Sequence, residues 1–352
     1  MKKFSIFFFL FAILLSSSAF AFCDRTLDKK IGQMIITGFD GDNINSKGFK
    51  KVLKQIKNGD IGGVILFSKN IKSKEDLIKM NEKILSSSKI TPFISIDNEG
   101  GQIQRHDLFH SPSAKEISKY SEKEAGISYN TMTKKLKELK INLNFAPVVD
   151  LAINKNSIIN KKERSYGDNP DVVIKYSSVF INQHNKNKII TSIKHFPGHG
   201  SAEGDTHLGF VDATNVFRDE ELEPYRNLKD KKMNMVMVSH IYNSNFDEKY
   251  PASLSENTVN ILKEKIGYKG VIISDDYDMG AIRDNYSVDE ITKNSINAGI
   301  DILLFSNNLK YYDKNIVKKI HRAIKKEIKN GIIDEQRIND SYRKIMALKQ
   351  EL

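Results

Sequence analysis

Cysteine occurs once in this chain of 352 residues and tryptophan not at all. With Cys23 alone, no intramolecular disulfide can form, so packing must hold the fold. Proline is scarce too, at seven residues, and no low-complexity or Pro/Gly-rich linker divides the chain. Acidic residues are outnumbered by lysine and arginine, 44 to 55, for a net charge of +11. The lysines are scattered along helical faces, and no recognisable nucleic-acid module gathers them. The surplus reads as a solvated surface with a mild attraction for anionic polymers. After Leu15 no apolar run is long enough to span a bilayer. Neither a nucleic-acid partner nor stable membrane insertion of the mature chain is expected.

The one long apolar run stands at the start. Met1-Lys2-Lys3 is basic, Phe4 to Leu15 is almost wholly apolar, and Ser16 to Ala21 is mostly small, ending in Ala19-Phe20-Ala21. That is the pattern of a secretory signal peptide over residues 1–21, cut after Ala21. A retained anchor helix is the alternative. The mature part, residues 22–352, then carries 53 basic against 44 acidic side chains, or +9. Its expected place is the periplasm or the exterior, as a monomer. Cys23, two residues past the cut, offers a lipid anchor instead, but Phe22 is bulky where lipoprotein processing takes a small residue.

The mature chain alternates short apolar runs with amphipathic helical stretches. The runs are Ile31–Gly38, Ile61–Phe67, Pro92–Ile96, Ile141–Val149, Ile189–Ile193, Met233–Ser239, Val271–Ser274 and Ile300–Phe305. Alternation of this kind predicts an α/β fold with a parallel sheet, and eight strands are the number that closes a (β/α)8 TIM-type barrel. The stretch from Asp107 to Ile127 reads as irregular, with helix resuming near Tyr129. A last helix, Asp334 to Lys349, falls beyond the eighth unit as an extra C-terminal helix outside the barrel. Polar residues follow nearly every run: Asp97 and Glu99, Asp150, Lys194 and His195, His240, Asp275 and Asp276, Ser306 and Asn307. In a closed barrel these converge on one face, where the active sites of such barrels lie.

Three segments carry chemistry. Lys194-His195-Phe196-Pro197-Gly198-His199-Gly200 followed by Asp205-Thr206-His207 reads as a mobile loop past a strand, with Gly198 and Gly200 as its hinge. Within it, Asp205 can fix the tautomer of His207 and stabilise its protonated form, which makes a general acid/base for neutral pH. Val271-Ile272-Ile273-Ser274-Asp275-Asp276 ends in paired carboxylates, of which Asp275 suits a nucleophile and Asp276 a supporting or turn-capping role. Asp97-x-Glu99-Gly100-Gly101, with Arg105 and with Arg164 of Glu163-Arg164-Ser165-Tyr166, can hold sugar hydroxyls or form structural ion pairs.

Taken in order, these segments resemble glycoside hydrolase family 3, in particular its single-domain bacterial β-N-acetylglucosaminidases of peptidoglycan recycling. The similarity runs from about Lys29 to Ala347. It also rests on Gly62-Gly63-Val64-Ile65-Leu66-Phe67 and on Asn144-Phe145-Ala146-Pro147-Val148-Val149-Asp150. The resemblance implies Asp275 as nucleophile, His207 as acid/base with Asp205 its partner, and Asp97, Arg105, Arg164, Lys194 and His195 around the terminal sugar. It implies a carbohydrate substrate, exo-acting retaining release of terminal β-linked N-acetylglucosamine, and no cofactor or metal. Two features depart from it. Thr206 stands where serine is usual, and an export leader precedes a barrel whose recycling relatives are often cytoplasmic.

Other readings remain. Phosphate can rival water as acceptor, which would make a phosphorylase, and a β-glucosidase could use the same scaffold. His195, His199, Asp205 and His207 could compose a metal site, although their spacing fits no common zinc motif and Lys194 would oppose a cation. A non-catalytic envelope sugar-binding protein is the alternative of another class.

Overall fold

The computed structural model describes residues 27–352 apart from Asp230. The expected leader and Cys23 lie outside the described residues. Eight short parallel strands form the centre: Ile35–Thr37, Gly63–Leu66, Phe93–Ile96, Leu143–Asn144, Ile190–Phe196, Met235–Val238, Val271–Ser274 and Leu303–Phe305. They pair in chain order, and the first also pairs with the eighth, Ile35 opposite Leu303. The seventh and eighth meet through a parallel bridge between Ile273 and Ile302, where Ser274 N–H donates to the Ile302 carbonyl at 3.1 Å. The sheet therefore closes into the expected (β/α)8 barrel. All the strand residues are buried, which is why they read as unbroken apolar runs rather than alternating ones.

Several boundaries differ from expectation for local reasons. Residues 27–33 are helical, so the first strand starts only at Ile35. The run Ile141–Val149 yields two strand residues, because asparagine side chains take over the ladder. Asn142 Oδ1 accepts from Ile94 N–H at 2.7 Å and Asn144 Oδ1 from Asn98 N–H at 2.9 Å, while Pro147 has no N–H to give. The fifth strand runs on through Phe196 and carries Lys194 and His195 into the barrel wall. Asp107 to Ile127 is not irregular throughout. Ser113 caps a short helix, Ala114–Ile117, and Ser121 with Glu124 forms a capping box that starts helix Glu122–Glu138. The polar residues that suggested a loop are the caps.

The outer helices follow ordinary rules. Asn169 caps helix Pro170–Lys186 through Asp171 N–H, and its Val173, Tyr176, Phe180 and Ile181 are buried. The C-terminal helix, Glu335–Lys349, docks near the N-terminal ends of the strands. Its Ser341, Arg337 and Lys344 converge on the buried Asp301 at 2.7, 3.1 and 3.2 Å, and Asp301 in turn accepts from Ile272 N–H. This leaves the C-terminal face of the barrel open for the loops that follow the strands.

Candidate active site

At that face a buried ion network forms first. The Lys194 ammonium lies 2.9 Å from Asp97 Oδ1 and 2.7 Å from Glu99 Oε1. Arg164 grips Glu99 with its fork, Nε to Oε2 at 2.8 Å and Nη2 to Oε1 at 2.7 Å. Arg105 reaches Asp97 Oδ2 at 3.1 Å. Burial would raise both carboxyls, but the cations outweigh it. Lys194 and Arg105 hold Asp97 far below the usual carboxylate range, and Arg164 and Lys194 hold Glu99 at about 2. Glu99 is thus saturated by cations, and it lines an open cleft of about 430 Å³ together with Asp97 and Arg105.

His195 is fixed from both ends of its ring. Nδ1 lies 2.6 Å from Asp150 Oδ2 and Nε2 lies 3.2 Å from Arg164 Nη2. A guanidinium can only donate, so Nε2 accepts and Nδ1 carries the proton given to Asp150. Asp150 also accepts the backbone N–H of His195 and of His199. Burial pushes Asp150 up, but His195 and these donors hold it below its ordinary value. With both ring nitrogens engaged, His195 has no lone pair for a metal, which removes one corner of the metal-site reading. Among the described residues no cluster of three or more histidine, cysteine or carboxylate side chains has the geometry to hold an ion.

The segment from Gly198 to Ser201 corrects an expectation. It is not a hinge. A Cβ on Gly198 would lie 2.7 Å from the Glu221 side chain, and one on Gly200 would collide with the Leu151 carbonyl. Glu221 accepts the N–H of Gly200 at 2.9 Å and of Ser201 at 3.2 Å, and binds the Ser201 hydroxyl. These glycines allow close packing and pin the chain. The exposed part of the loop starts later, near Glu203 and Gly204.

Asp205 and His207 do meet. His207 Nδ1 lies 2.7 Å from Asp205 Oδ1, and the same oxygen accepts the His207 N–H at 3.0 Å. The imidazole is 59% exposed, so its Nε2 side faces solvent and the cleft. The bond to Asp205 raises the His207 pKa against the opposing effect of partial burial, and the Asp275 charge adds to it. Asp205 is held far below the usual carboxylate range by that same bond. The loop is fastened beyond the dyad: the carbonyls of Thr206 and His207 each accept at 3.2 Å, from Ala281 and Gly280 N–H.

Asp275 and Asp276 follow the seventh strand with different surroundings. Asp276 Oδ1 accepts N–H bonds from Ser306 at 2.8 Å and Asp278 at 3.0 Å, tying the seventh strand end to the eighth. Burial raises its pKa. Asp275 Oδ1 takes one bond, from Asp276 N–H at 2.8 Å. Burial opposes its ionisation, yet the nearby His195, His240 and His207 keep its pKa below the ordinary value. His240 is locked by Ser253 at Nδ1 and by the Asp276 carbonyl at Nε2, at 2.7 and 2.9 Å.

All eight residues singled out in the sequence therefore gather at one end of the barrel. Sequence reasoning gave no role to Asp150, Glu221 or Gly280. Asp150 was visible as a strand-end carboxylate, and the histidine-rich segment that follows could have named its partner. Glu221 and Gly280 gave no local signal, since each acts on a segment distant in sequence.

The description of the family model that matches residues 26–348 is "Glycosyl hydrolase family 3 N terminal domain". The chain is 29% identical over 318 residues to an uncharacterized secreted glycosyl hydrolase of Arthroderma benhamiae, covering 86% of this chain and 88% of that one. It is 31% identical to a β-hexosaminidase of Actinobacillus pleuropneumoniae serotype 3, over 70% of this chain and 74% of that protein. Among solved structures, a family 3 β-N-acetylglucosaminidase from Paenibacillus sp. str. FPU-7 superposes with a TM-score of 0.84 at 28% identity, covering 92% of this chain. This chain spans 62% of that structure and 54% of a β-hexosaminidase A from Pseudoalteromonas piscicida. The barrel, its ordered segments and these matches together make the chain a glycoside hydrolase belonging to glycosyl hydrolase family 3.

Proposed function

We propose that the protein is an exo-acting, retaining β-N-acetylhexosaminidase that releases terminal N-acetylglucosamine from β-linked glycans. The relatives that act as β-hexosaminidases support the sugar. The observation that carries the chemistry is an aspartate-bonded histidine, His207, whose loop is hydrogen-bonded to the segment that follows a strand-end carboxylate, Asp275.

In the first step an Asp275 oxygen attacks the anomeric carbon. The bond to the leaving oxygen breaks with its electron pair, and the proton on His207 Nε2 passes to that oxygen. In the second step a water oxygen attacks the same carbon, gives its proton to His207, and displaces Asp275. Asp205 holds the Nδ1 proton throughout and stabilises the imidazolium. Asp276 is committed to Ser306 and Asp278 N–H, which leaves Asp275 as the freer carboxylate. Asp97, Arg105, Lys194 and Arg164 hold the sugar: Asp97 accepts from hydroxyls and the cations donate, while His195, both ring nitrogens engaged, acts through Arg164, and the locked network keeps them in place before substrate arrives. Peptidoglycan fragments fit an exported enzyme, in keeping with the basic leader and with the secreted relative.

The test is turnover of nitrophenyl β-N-acetylglucosaminide against the β-glucoside, each with and without phosphate. Strong preference for the former, with free sugar as product in phosphate, is expected. Preference for the glucoside, or a sugar phosphate as main product, would replace this reading with one of its rivals.

A further inference from the structure

Just beyond His207 the loop makes an arc fixed at both ends. On one side the His207 carbonyl is bonded to Gly280 N–H. On the other, Val211 and Ala213 pair with Tyr242, at 3.0 Å from Tyr242 N–H and 2.8 Å to the Tyr242 carbonyl. Between these fastenings, Leu208 is 84% and Phe210 60% exposed, although Val211 next to them is packed against Ala202, Ala213 and Ile241. The chain here could have buried its apolar residues and instead holds two of them outward.

Phe210 does not stand alone. Its ring lies 5.2 Å from that of Tyr242. Tyr242 Oη donates to the Glu248 carbonyl at 2.8 Å, two residues before Tyr250, whose ring is 6.4 Å from that of Tyr286. Tyr242 and Tyr286 are both half-buried. This aromatic shelf is rooted beside the chemistry on two sides. Tyr242 is two residues from His240, which is bonded to the Asp276 carbonyl, and Tyr286 N–H is bonded to Ile282 of the short helix that fastens the His207 loop. Aromatic side chains gathered and left partly exposed on the loop that carries His207 and on the one that follows His240 offer a binding surface. Aromatic faces offer area at low entropic cost, and the apolar C–H faces of pyranose rings match them.

A general acid protonates the oxygen that departs with the leaving group, so the leaving group lies on the His207 side of the terminal sugar. We infer that Phe210 and Tyr242, with Tyr286 behind them, form a shelf for the leaving-group sugars, and that the enzyme is adapted to β-linked oligosaccharides longer than a disaccharide. This rests on the proposed β-N-acetylglucosaminidase reading and extends it to the part of the substrate beyond the cleaved bond.

The test compares kcat/KM on β-1,4-linked N-acetylglucosamine oligomers of two to four units with kcat/KM on N-acetylglucosaminyl azide, whose leaving group is too small to reach the shelf. Wild-type kcat/KM should rise with chain length. Phe210→Ala and Tyr242→Ala should each flatten that rise, lowering the trimer and tetramer values about tenfold more than the azide value, and Phe210→Trp should restore it. Equal losses on all substrates, or a rise with length that survives both alanine variants, would overturn the shelf. If the wild type turns over none of these, the activity reading falls, and the shelf is then read by calorimetry. Asp275→Asn protein should bind the tetramer about tenfold more tightly than Asp275→Asn/Phe210→Ala protein. Equal affinities would overturn it.

Discussion

The carbonyl of His207 accepts a hydrogen bond from Gly280 N–H at 3.2 Å, joining the loop that carries the proposed acid/base to the segment that follows Asp275. The neighbouring pair, Thr206 and Ala281, makes the same kind of bond at the same length. The placement of His207, the proposed acid/base, relative to Asp275, the proposed nucleophile, is therefore set by backbone contacts five and six residues beyond Asp275.

Gly280 has little room for a side chain. A Cβ there would sit 3.0 Å from the His207 carbonyl and 3.2 Å from the Asp284 carboxylate. Gly280→Ala should displace the loop and lower kcat by about tenfold or more, since misplacement of a reacting group by about 1 Å can cost 100-fold. Thermal unfolding should move less than kcat, because the contact made by the added methyl is with the exposed His207 loop and not with the barrel strands. Unchanged kcat would show that the loop closes by another route.

The pH profile reports on Asp205. Its bond raises the His207 pKa, and the acid step needs His207 protonated, so activity falls as pH rises through that pKa. Asp205→Asn removes the raising charge. The basic limb of kcat/KM should then shift to lower pH, and kcat should fall most for substrates with poor leaving groups. A basic limb that stays in place would separate His207 from the acid role.

Lys194 holds two buried carboxylates apart. Lys194→Met leaves Asp97 with Arg105 and Glu99 with Arg164, and should destabilise the fold by about 3–5 kcal/mol, the usual cost of breaking a buried pair. Asp97 and Glu99 titrate lower in the folded chain than in the unfolded one. They therefore contribute stability above about pH 4–5 and lose it as pH falls towards 2. In the variant their folded pKa values rise, so acid unfolding should begin at higher pH. Denaturant titrations between pH 3 and pH 7 measure both effects.

The barrel was legible because each strand is buried on both faces and leaves an unbroken apolar run, and because its closing polar residues fall at one end. That Asp97, Lys194, His195 and Asp275 would meet at one end was legible for the same reason, since barrel topology turns strand ends into neighbours, whereas Arg105, Arg164, Asp205 and His207 lie on loops and were singled out by their motifs. What escaped were features made by contacts between distant segments. Gly198 and Gly200 look like a flexible hinge in sequence, and only the packing of Glu221 and Leu151 against them makes them rigid. Asn142 and Asn144 shorten the fourth strand through side-chain bonds that no apolar pattern reports. Ser121 and Glu124 carried a capping-box signal that the polar composition around them obscured.

At the other end of the barrel Lys349 is buried, donating to Gln33 Oε1 at 2.8 Å and to the Gly62 carbonyl at 2.7 Å, over the Phe93 ring. Burial pushes its pKa down to about 7. Below pH 7 the folded chain bears the full cost of the buried charge. Between pH 7 and about 10.5 the unfolded chain holds a proton that the folded one has lost, so stability rises with pH. Lys349→Met should remove that rise and stabilise the protein at neutral pH by about 1–4 kcal/mol. Chemical denaturation at pH 7 and pH 9.5 would test it, and a wild type no more stable at the higher pH would contradict it.

The proposed mechanism turns on Asp275, and the most direct measurement is covalent trapping. A 5-fluoro N-acetylglucosaminyl fluoride should inactivate the enzyme and accumulate as a glycosyl-enzyme, and peptide mass spectrometry should find the label on Asp275. A label on Asp276 or any other residue, or inactivation without a covalent adduct, would contradict the assignment.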